Sequence, residues 1–278
     1  ATWYKASPNL GVSVKESFME IEYQNAINKG GTHEVSFKTK NLNMWVDAPD
    51  VWISDDLVVR CDHGTTDDML DGQKCWGAID LASHMDINAL ALYFPELEHP
   101  AMKFFFWIPE AKVKEKEDRV DYRTWVSEGW VKITPGNVID INYFVRDVSE
   151  ILLRYNMQSL AFDPAKAYHG VIQGLMAEGF DDILDEFNQS MRNMSEPTKE
   201  LESLVASGKL DLMQNPVIRW MFRNVAIYRD ANENIKIDKK RSSEKVDGCV
   251  AAAMAIGTNM SYEDNDISNV GVAYVSMK

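Results

Sequence analysis

The sequence predicts an α/β fold: a mixed β-sheet flanked by helices. Three observations carry that expectation. Apolar runs of strand length at 75–79, 87–94 and 102–109 follow one another across turn-length gaps. Beyond residue 110, strand-length runs alternate with segments whose apolar residues recur at helical spacing. Successive strands followed by alternation imply antiparallel and parallel neighbours in one helix-covered sheet.

Taken in order, residues 1–55 hold one helical stretch, about 15–28. A polar link, "NKGGTHEVSFKTKNLNMWVDAPD", follows, punctuated by Gly30-Gly31 and Pro49. "DHGTTDDMLDGQK" (62–74) is rich in turn formers, and a compact unit is expected to begin after it. Strands are expected at 75–79 and 87–94, paired as a hairpin, and at 102–109. "EAKVKEKEDRVDYRTWVSEG" reads as a solvated helical segment, "WVKIT" (130–134) as a strand and Pro135-Gly136 as a turn. Ile141, Phe144, Val145, Val148, Ile151 and Leu152 give 140–155 a helical stripe. "QSLAFD" (158–163) is a strand, 167–179 a helix closed by Gly179, and 182–187 a strand. Ser195 and Pro197 open a helix that Gly208 stops. Residues 225–229 and 234–237 form a hairpin across "DANE". "KVDGCVAAAMAIG" (245–257) is a small-residue helix suited to lying flat on a sheet, and 258–278 reads as a tail or an edge strand. A ribonuclease-H-like core has this order of elements.

Charge and cysteine usage narrow the function classes. The 278 residues carry a net charge of −14, which argues against sequence-independent nucleic-acid binding through overall charge but not against local basic patches. Cys61, Cys75 and Cys249 are odd in number and form no C-x-x-C pair, which argues against a disulfide framework or a structural zinc and for a reducing compartment. No apolar run approaches the ~20 residues of a membrane span, and no secretory signal opens the chain. There is no G-x-S-x-G, and "NKGGTHEV" does not make a P-loop.

Three acids recur in comparable settings. Asp80 ends the first strand, Asp163 ends the strand after the long helix, and Asp247 opens the last core helix. If those two strands are neighbours, Asp80 and Asp163 emerge side by side, and Asp247 faces them from a helix N-terminus, where ligands gather in open α/β sheets. Clustered carboxylates need positive charge, and hard oxygen donors favour Mg²⁺ or Mn²⁺. Two such ions form the clamp for in-line displacement at phosphorus. Asp86, at the mouth of the first hairpin, is a candidate ligand for the second ion. Capping alone accounts for any one of these acids taken singly. His84 and His169 are weaker candidates for phosphate approach. The densest basic run, "KIDKKRSSEK", places Lys236, Lys239, Lys240, Arg241 and Lys245 just before Asp247. Lys240, Arg241 and Lys245 are the candidate DNA-backbone contacts, joined by Arg219 and Arg223, although such a run is also what a solvated hairpin arm looks like. Phe104–Trp107 reads as core.

The chain resembles the C-terminal nuclease half of the large terminase subunit of tailed bacteriophages. The resemblance rests on "WYKASPNLGVSV", "FKTKNLNMWVDA", "GAIDLASHMDINALAL", "YRTWVSEGWVKITPGNVID", "LAFDPAKA", "PTKELESLVASGKL", "NPVIRWMFRNV" and "EKVDGCVAAAMAIG", in that order up to about residue 257. It implies a ribonuclease-H-like metal-dependent endonuclease that cuts concatemeric double-stranded viral DNA during packaging. The family's metal-holding acids match Asp80, Asp163 and Asp247, and Asp86 matches a further acid found in some members. Implied partners are double-stranded DNA, the small terminase subunit, the portal ring and an ATPase domain of the same full-length chain, which this sequence lacks. The implied place is the host cytoplasm at the procapsid portal, with no membrane association. On this reading 1–70 is an interdomain arm, 71–257 the nuclease and 258–278 a tail. Two other readings are a portal- or DNA-docking module with little cutting of its own, and another ribonuclease-H-like nuclease such as a junction resolvase.

Overall fold

The computed structural model describes residues 2–29, 31–44, 52–81, 86–115, 120–165 and 170–275. Its contacts divide the chain into two units, 1–54 and 55–278. The first holds α1 (Thr2–Ala6), α2 (Glu16–Lys29) and α3 (Gly31–Leu42). α2 lies where expected. α3 replaces most of the expected polar link, because Phe37 and Leu42 pack with Leu10, Met19 and Ala26 into a small apolar cluster. Burial of that kind overrides a weak local preference.

The second unit runs α4 (Asp55–Val59), α5 (Asp67–Leu70), β1 (Lys74–Asp80), β2 (Asn88–Phe94), β3 (Ala101–Pro109), α6 (Glu110–Glu115), α7 (Tyr122–Ser127), β4 (Lys132–Thr134), α8 (Ile141–Arg154), β5 (Asn156–Phe162), α9 (Val171–Ala177), β6 (Leu184–Glu186), α10 (Met191–Ala206), α11 (Pro216–Asn224), β7 (Ile227–Arg229), β8 (Ile235–Ile237) and α12 (Asp247–Val275). α4 and α5, which fall in the stretch read as an arm, thus belong to this unit. Six strands form one sheet in the order β4-β3-β2-β1-β5-β6. β1–β2 and β2–β3 pair antiparallel, while β1–β5, β3–β4 and β5–β6 pair parallel. This is the mixed sheet the element order predicts. Its central strand β2 is buried at every position, as a strand covered on both faces must be.

On one face α8 packs Phe144, Val148 and Leu152 into a cluster with Leu90, Trp107 and Leu160. Asp140 starts that helix by accepting a hydrogen bond from the Tyr143 amide (3.0 Å), which satisfies one of the free N–H groups of the first turn. The other side of the sheet is covered by α12, whose Ala251, Ala252, Ala253 and Ala255 are fully buried. Small residues let the helix lie close. A Cβ on Gly248 would come within 2.9 Å of Met221 and Phe106, and one on Gly257 within 2.7 Å of Pro197. β7 and β8 form a separate antiparallel hairpin, as expected.

The structure departs from the sequence reading in three further places. The segment after β3 is two short helices rather than one solvated helix, and α7 buries Tyr122 and Trp125. α10 starts a turn before Ser195: Ser190 is its N-cap, Ser195 is buried and accepts from the Ile235 amide (3.2 Å), and Pro197 sits inside the helix. Its ring packs closely against α12, where a Cβ on Gly257 would come within 2.7 Å of it. Finally, α12 runs through residue 257 to Val275, so the tail is helical over that span rather than an edge strand. Among the described residues no helix is long and apolar enough to cross a membrane.

Candidate active site

The sheet itself brings the first two acids together. β1 ends on Asp80, and the parallel register pairs Ile79 with Phe162 of β5. Asp163 follows Phe162 directly, so the two acids leave adjacent strand ends, about 4.8 Å apart across the ladder. Asp247 is the first residue of α12, which lies over β1, β2 and β5 and so aims its N-terminus at the same sheet edge.

Asp80 is fully buried and Asp247 is 6% exposed. Two such carboxylates repel unless a cation is present, and here it is Lys239. Its ammonium contacts Asp80 Oδ2 and lies 3.4 Å from Asp247 Oδ1. Gln189 Nε2 donates to Asp80 Oδ1 at 3.1 Å. Burial, and then the charge of Asp80, push the Asp247 carboxyl up to about 6, with Lys239 opposing the shift. Asp163 is half-buried, and its Oδ1 accepts from the Ala165 amide at 3.1 Å, a turn that holds its carboxylate at the strand end. Asp86 faces a second lysine: its Oδ2 is paired with Lys245, and its Oδ1 accepts from the Ile87 amide at 3.0 Å.

Lysines thus balance these acids: Lys239 balances Asp80 and Asp247, and Lys245 balances Asp86. Among the described residues, no three acids, histidines or cysteines converge closely enough as they stand to hold an ion. The chemistry of the donor set nevertheless fits a hard cation. Lys239 supplies a positive charge between the Asp80 and Asp247 carboxylates, whose oxygens are the donor type a hard cation takes.

The other candidates separate. Lys240 and Arg241 are exposed, with backbone amides tied to Asp238 and the Arg241 guanidinium over the Tyr228 ring at 5.8 Å. Arg219 and Arg223 do not join them: both grip Asp55, at 2.6 and 2.7 Å, and tie α11 to α4. That bidentate clamp holds the Asp55 carboxyl far below its ordinary range. His84 and His169 lie outside the described residues. Lys239 was visible as one of five cations in the basic run, but nothing in the run marks it as the inward one. Gln189 carries no local signal at all.

A cavity of about 300 Å³ adjoins the acids and shares Gln189 and Lys239 with them; Tyr228, Lys236 and Lys240 also line it.

Comparison with known proteins follows the same lines. The family model described as "Terminase large subunit, endonuclease domain" matches residues 1–263. Protein YmfN of Escherichia coli (strain K12) is 32% identical, over 94% of this chain and 60% of that protein. The terminase large subunit of Enterobacteria phage HK97 is 29% identical, over 92% of this chain and 50% of that protein. The chain therefore spans little more than half the length of these curated relatives. The crystal structure of the HK97 bacteriophage large terminase superposes with a TM-score of 0.69 at 27% identity, covering 92% of this chain and 53% of that one. That likeness bears out the ribonuclease-H-like mixed sheet expected from the order of elements. The sheet edge with its acids, the helix laid over it and the match along nearly the whole sequence agree: this chain belongs to the family of terminase large subunit endonuclease domains.

Proposed function

We propose that this chain hydrolyses phosphodiester bonds of double-stranded DNA at Asp80, Asp163 and Asp247, with two Mg²⁺ or Mn²⁺ ions as cofactors and Asp86 as a further ligand. The observation that carries the reading is the cation bridge. Lys239 already holds Asp80 and Asp247 around one positive charge at the end of β1. When bound, divalent ions would supply the charge that polarises the phosphodiester and activates water.

The chain's own residues do the rest. Asp80 is the rigid donor, fixed by its strand and oriented by Gln189. Asp247 is carried by the first turn of α12, and Asp163 by the turn after β5. Lys239 and Lys245 keep the acids charged and compatible with folding before an ion arrives, and are released toward phosphate afterwards. Lys240 and Arg241, exposed beside the cavity, meet the DNA backbone and offset the acidic surface locally.

By the same reading the substrate is concatemeric viral DNA at packaging, in the host cytoplasm at the procapsid portal. The partners are the small terminase subunit, the portal and an ATPase domain of the full-length protein. The arm toward that ATPase, expected over 1–70, is on this reading cut back to 1–54; the nuclease begins at Asp55 rather than at 71, and α12 carries it past 257 into the expected tail.

Supercoiled plasmid incubated with the chain and Mn²⁺, Mg²⁺ or EDTA, beside Asp80→Ala, tests the assignment. Cutting that needs metal and falls at least 100-fold in the variant is the expected result. An Asp80→Ala protein that cuts like wild type would overturn it.

A further inference from the structure

Lys236 lies in the middle of β8, where strand alternation turns it away from the face that buries Ile235 and Ile237. Among the described residues its ammonium makes no ion pair, although Lys239 and Lys245 of the same basic run both meet acids of the site. It donates instead to a neutral group, the backbone carbonyl of Gln189, at 3.1 Å. A half-buried lysine gives up side-chain freedom to make that one contact.

The carbonyl belongs to a connector outside any helix or strand. Residues 187–189 join β6 to α10, whose N-cap is Ser190. Among the described residues the Gln189 main chain makes no other hydrogen bond, so Lys236 is its tether. The Gln189 side chain then reaches the acids. Its Nε2 donates to Asp80 Oδ1 at 3.1 Å and lies 3.3 Å from Met254 Sδ on α12. The nitrogen is the end that faces Asp80, because an ionised carboxylate only accepts. One chain of contacts thus runs from Lys236 on the hairpin through Gln189 to the fully buried Asp80 at the end of β1.

We propose that Lys236 is a positioning residue for the metal site: by holding the Gln189 carbonyl it keeps the Gln189 amide on Asp80 Oδ1, and so fixes the carboxylate that a divalent ion would use. The inference rests on the metal-dependent reading of the site above. Lys236 acts through Gln189 and not on the ion itself. A ligand whose outer partner is lost turns more freely, and metal affinity falls. The sign of the effect separates this role from charge alone. A cation beside clustered acids opposes a divalent ion, so by charge alone its removal would raise the affinity. Removal of a positioning residue lowers it.

The test is Mn²⁺ titration by calorimetry, without DNA, on wild type, Lys236→Met, Lys236→Arg, Gln189→Met and the double variant Lys236→Met with Gln189→Met. Gln189→Met keeps the reach of the side chain and removes the donor, and its Mn²⁺ affinity is expected to fall about tenfold. Lys236→Met acts one step further out and is expected to lose roughly threefold. Lys236→Arg keeps a charged donor for the carbonyl and is expected to bind as wild type does. The double variant is expected to lose no more than Gln189→Met alone, because both changes break the same chain of contacts. Affinity that is unchanged or higher in Lys236→Met, or unchanged in Gln189→Met, overturns the assignment. So does a Lys236→Met loss that adds in full to that of Gln189→Met, since Lys236 would then act by a route that bypasses Gln189. Wild type that binds no Mn²⁺ would instead overturn the metal-dependent reading, and this inference with it, so the two failures are told apart by wild type alone.

Discussion

Two carboxylates withdrawn from water stay charged only beside a cation, and Lys239 plays that part for Asp80 and Asp247. The Asp247 carboxyl titrates at about 6 in the folded chain, above the ~3.9 of an unfolded aspartate. A raised folded value means that the native state binds its proton more tightly. The stability this supplies is whole below pH ~4 and is lost as pH rises through about 6. Lys239→Met removes the counter-charge and keeps the stem. With no metal present, its cost is expected to be about 3 kcal/mol at pH 8, where both acids are ionised. At pH 5 the cost should be smaller, because Asp247 then carries a proton and its repulsion with Asp80 is relieved. Urea unfolding at the two pH values measures it, and an equal cost at both would mean that Lys239 does not offset the Asp247 charge. Asp80, Asp163, Asp86 and Asp247 could be picked out by position, because strand ends and helix starts are readable in sequence. Lys239 could not be told from Lys240: the turn after β8 decides which of two adjacent lysines points inward, and turn geometry is not written in the charges.

At the scale of elements, the site depends on how closely α12 lies on the sheet. Gly248 follows Asp247 directly and faces Met221, Phe106 and Ile218, with room for no side chain beyond hydrogen. Gly248→Ala gains helix propensity but overpacks that contact, and the net effect expected is a loss of about 1–2 kcal/mol. It also lifts Asp247 off the sheet edge, so Mn²⁺ affinity should fall with stability. Thermal unfolding and calorimetry on the one variant check both, and wild-type values for both would show that the neighbours give way freely. The same packing explains why α10 was misread. Ser195 and Pro197 look like a helix start because both favour one locally. In the fold, Ser195 bonds the β8 backbone and Pro197 fills the space beside Gly257, so tertiary partners override the local grammar. α7 follows the same logic, since the aromatic contacts that bury Tyr122 and Trp125 come from Trp220, nearly 100 positions away.

For the whole molecule, each unit has an apolar cluster of its own: Leu10, Met19, Ala26 and Phe37 in the first, and the large sheet cluster in the second. A fragment starting at Asp55 is therefore expected to fold, to unfold in one cooperative transition, and to bind Mn²⁺ as the intact chain does. Circular dichroism melting and calorimetry of that fragment are the check, and a broad melt or lost metal binding would show that residues 1–54 are needed to complete the second unit. The boundary at residue 54 was not legible because α4 joins the second unit through Asp55, clamped by Arg219 and Arg223 of α11. A contact spanning more than 160 positions leaves no trace in local composition.

The sequence by itself determined the class of fold, the order and type of nearly every strand, the long helix α8 with its apolar stripe, and the acids that mark the sheet edge. Those features follow from periodicity and capping, which act over a few residues. Only the tertiary structure decided that β5 lies beside β1 so that Asp80 and Asp163 emerge together. It alone decided that Lys239 and Gln189 turn inward onto Asp80, that Arg219 and Arg223 serve Asp55 instead of the site, and that Tyr122 is buried against Trp125 and Trp220. Each of those outcomes depends on which surfaces meet across the sheet, and the energies of such long-range contacts are set by burial and charge in the finished fold.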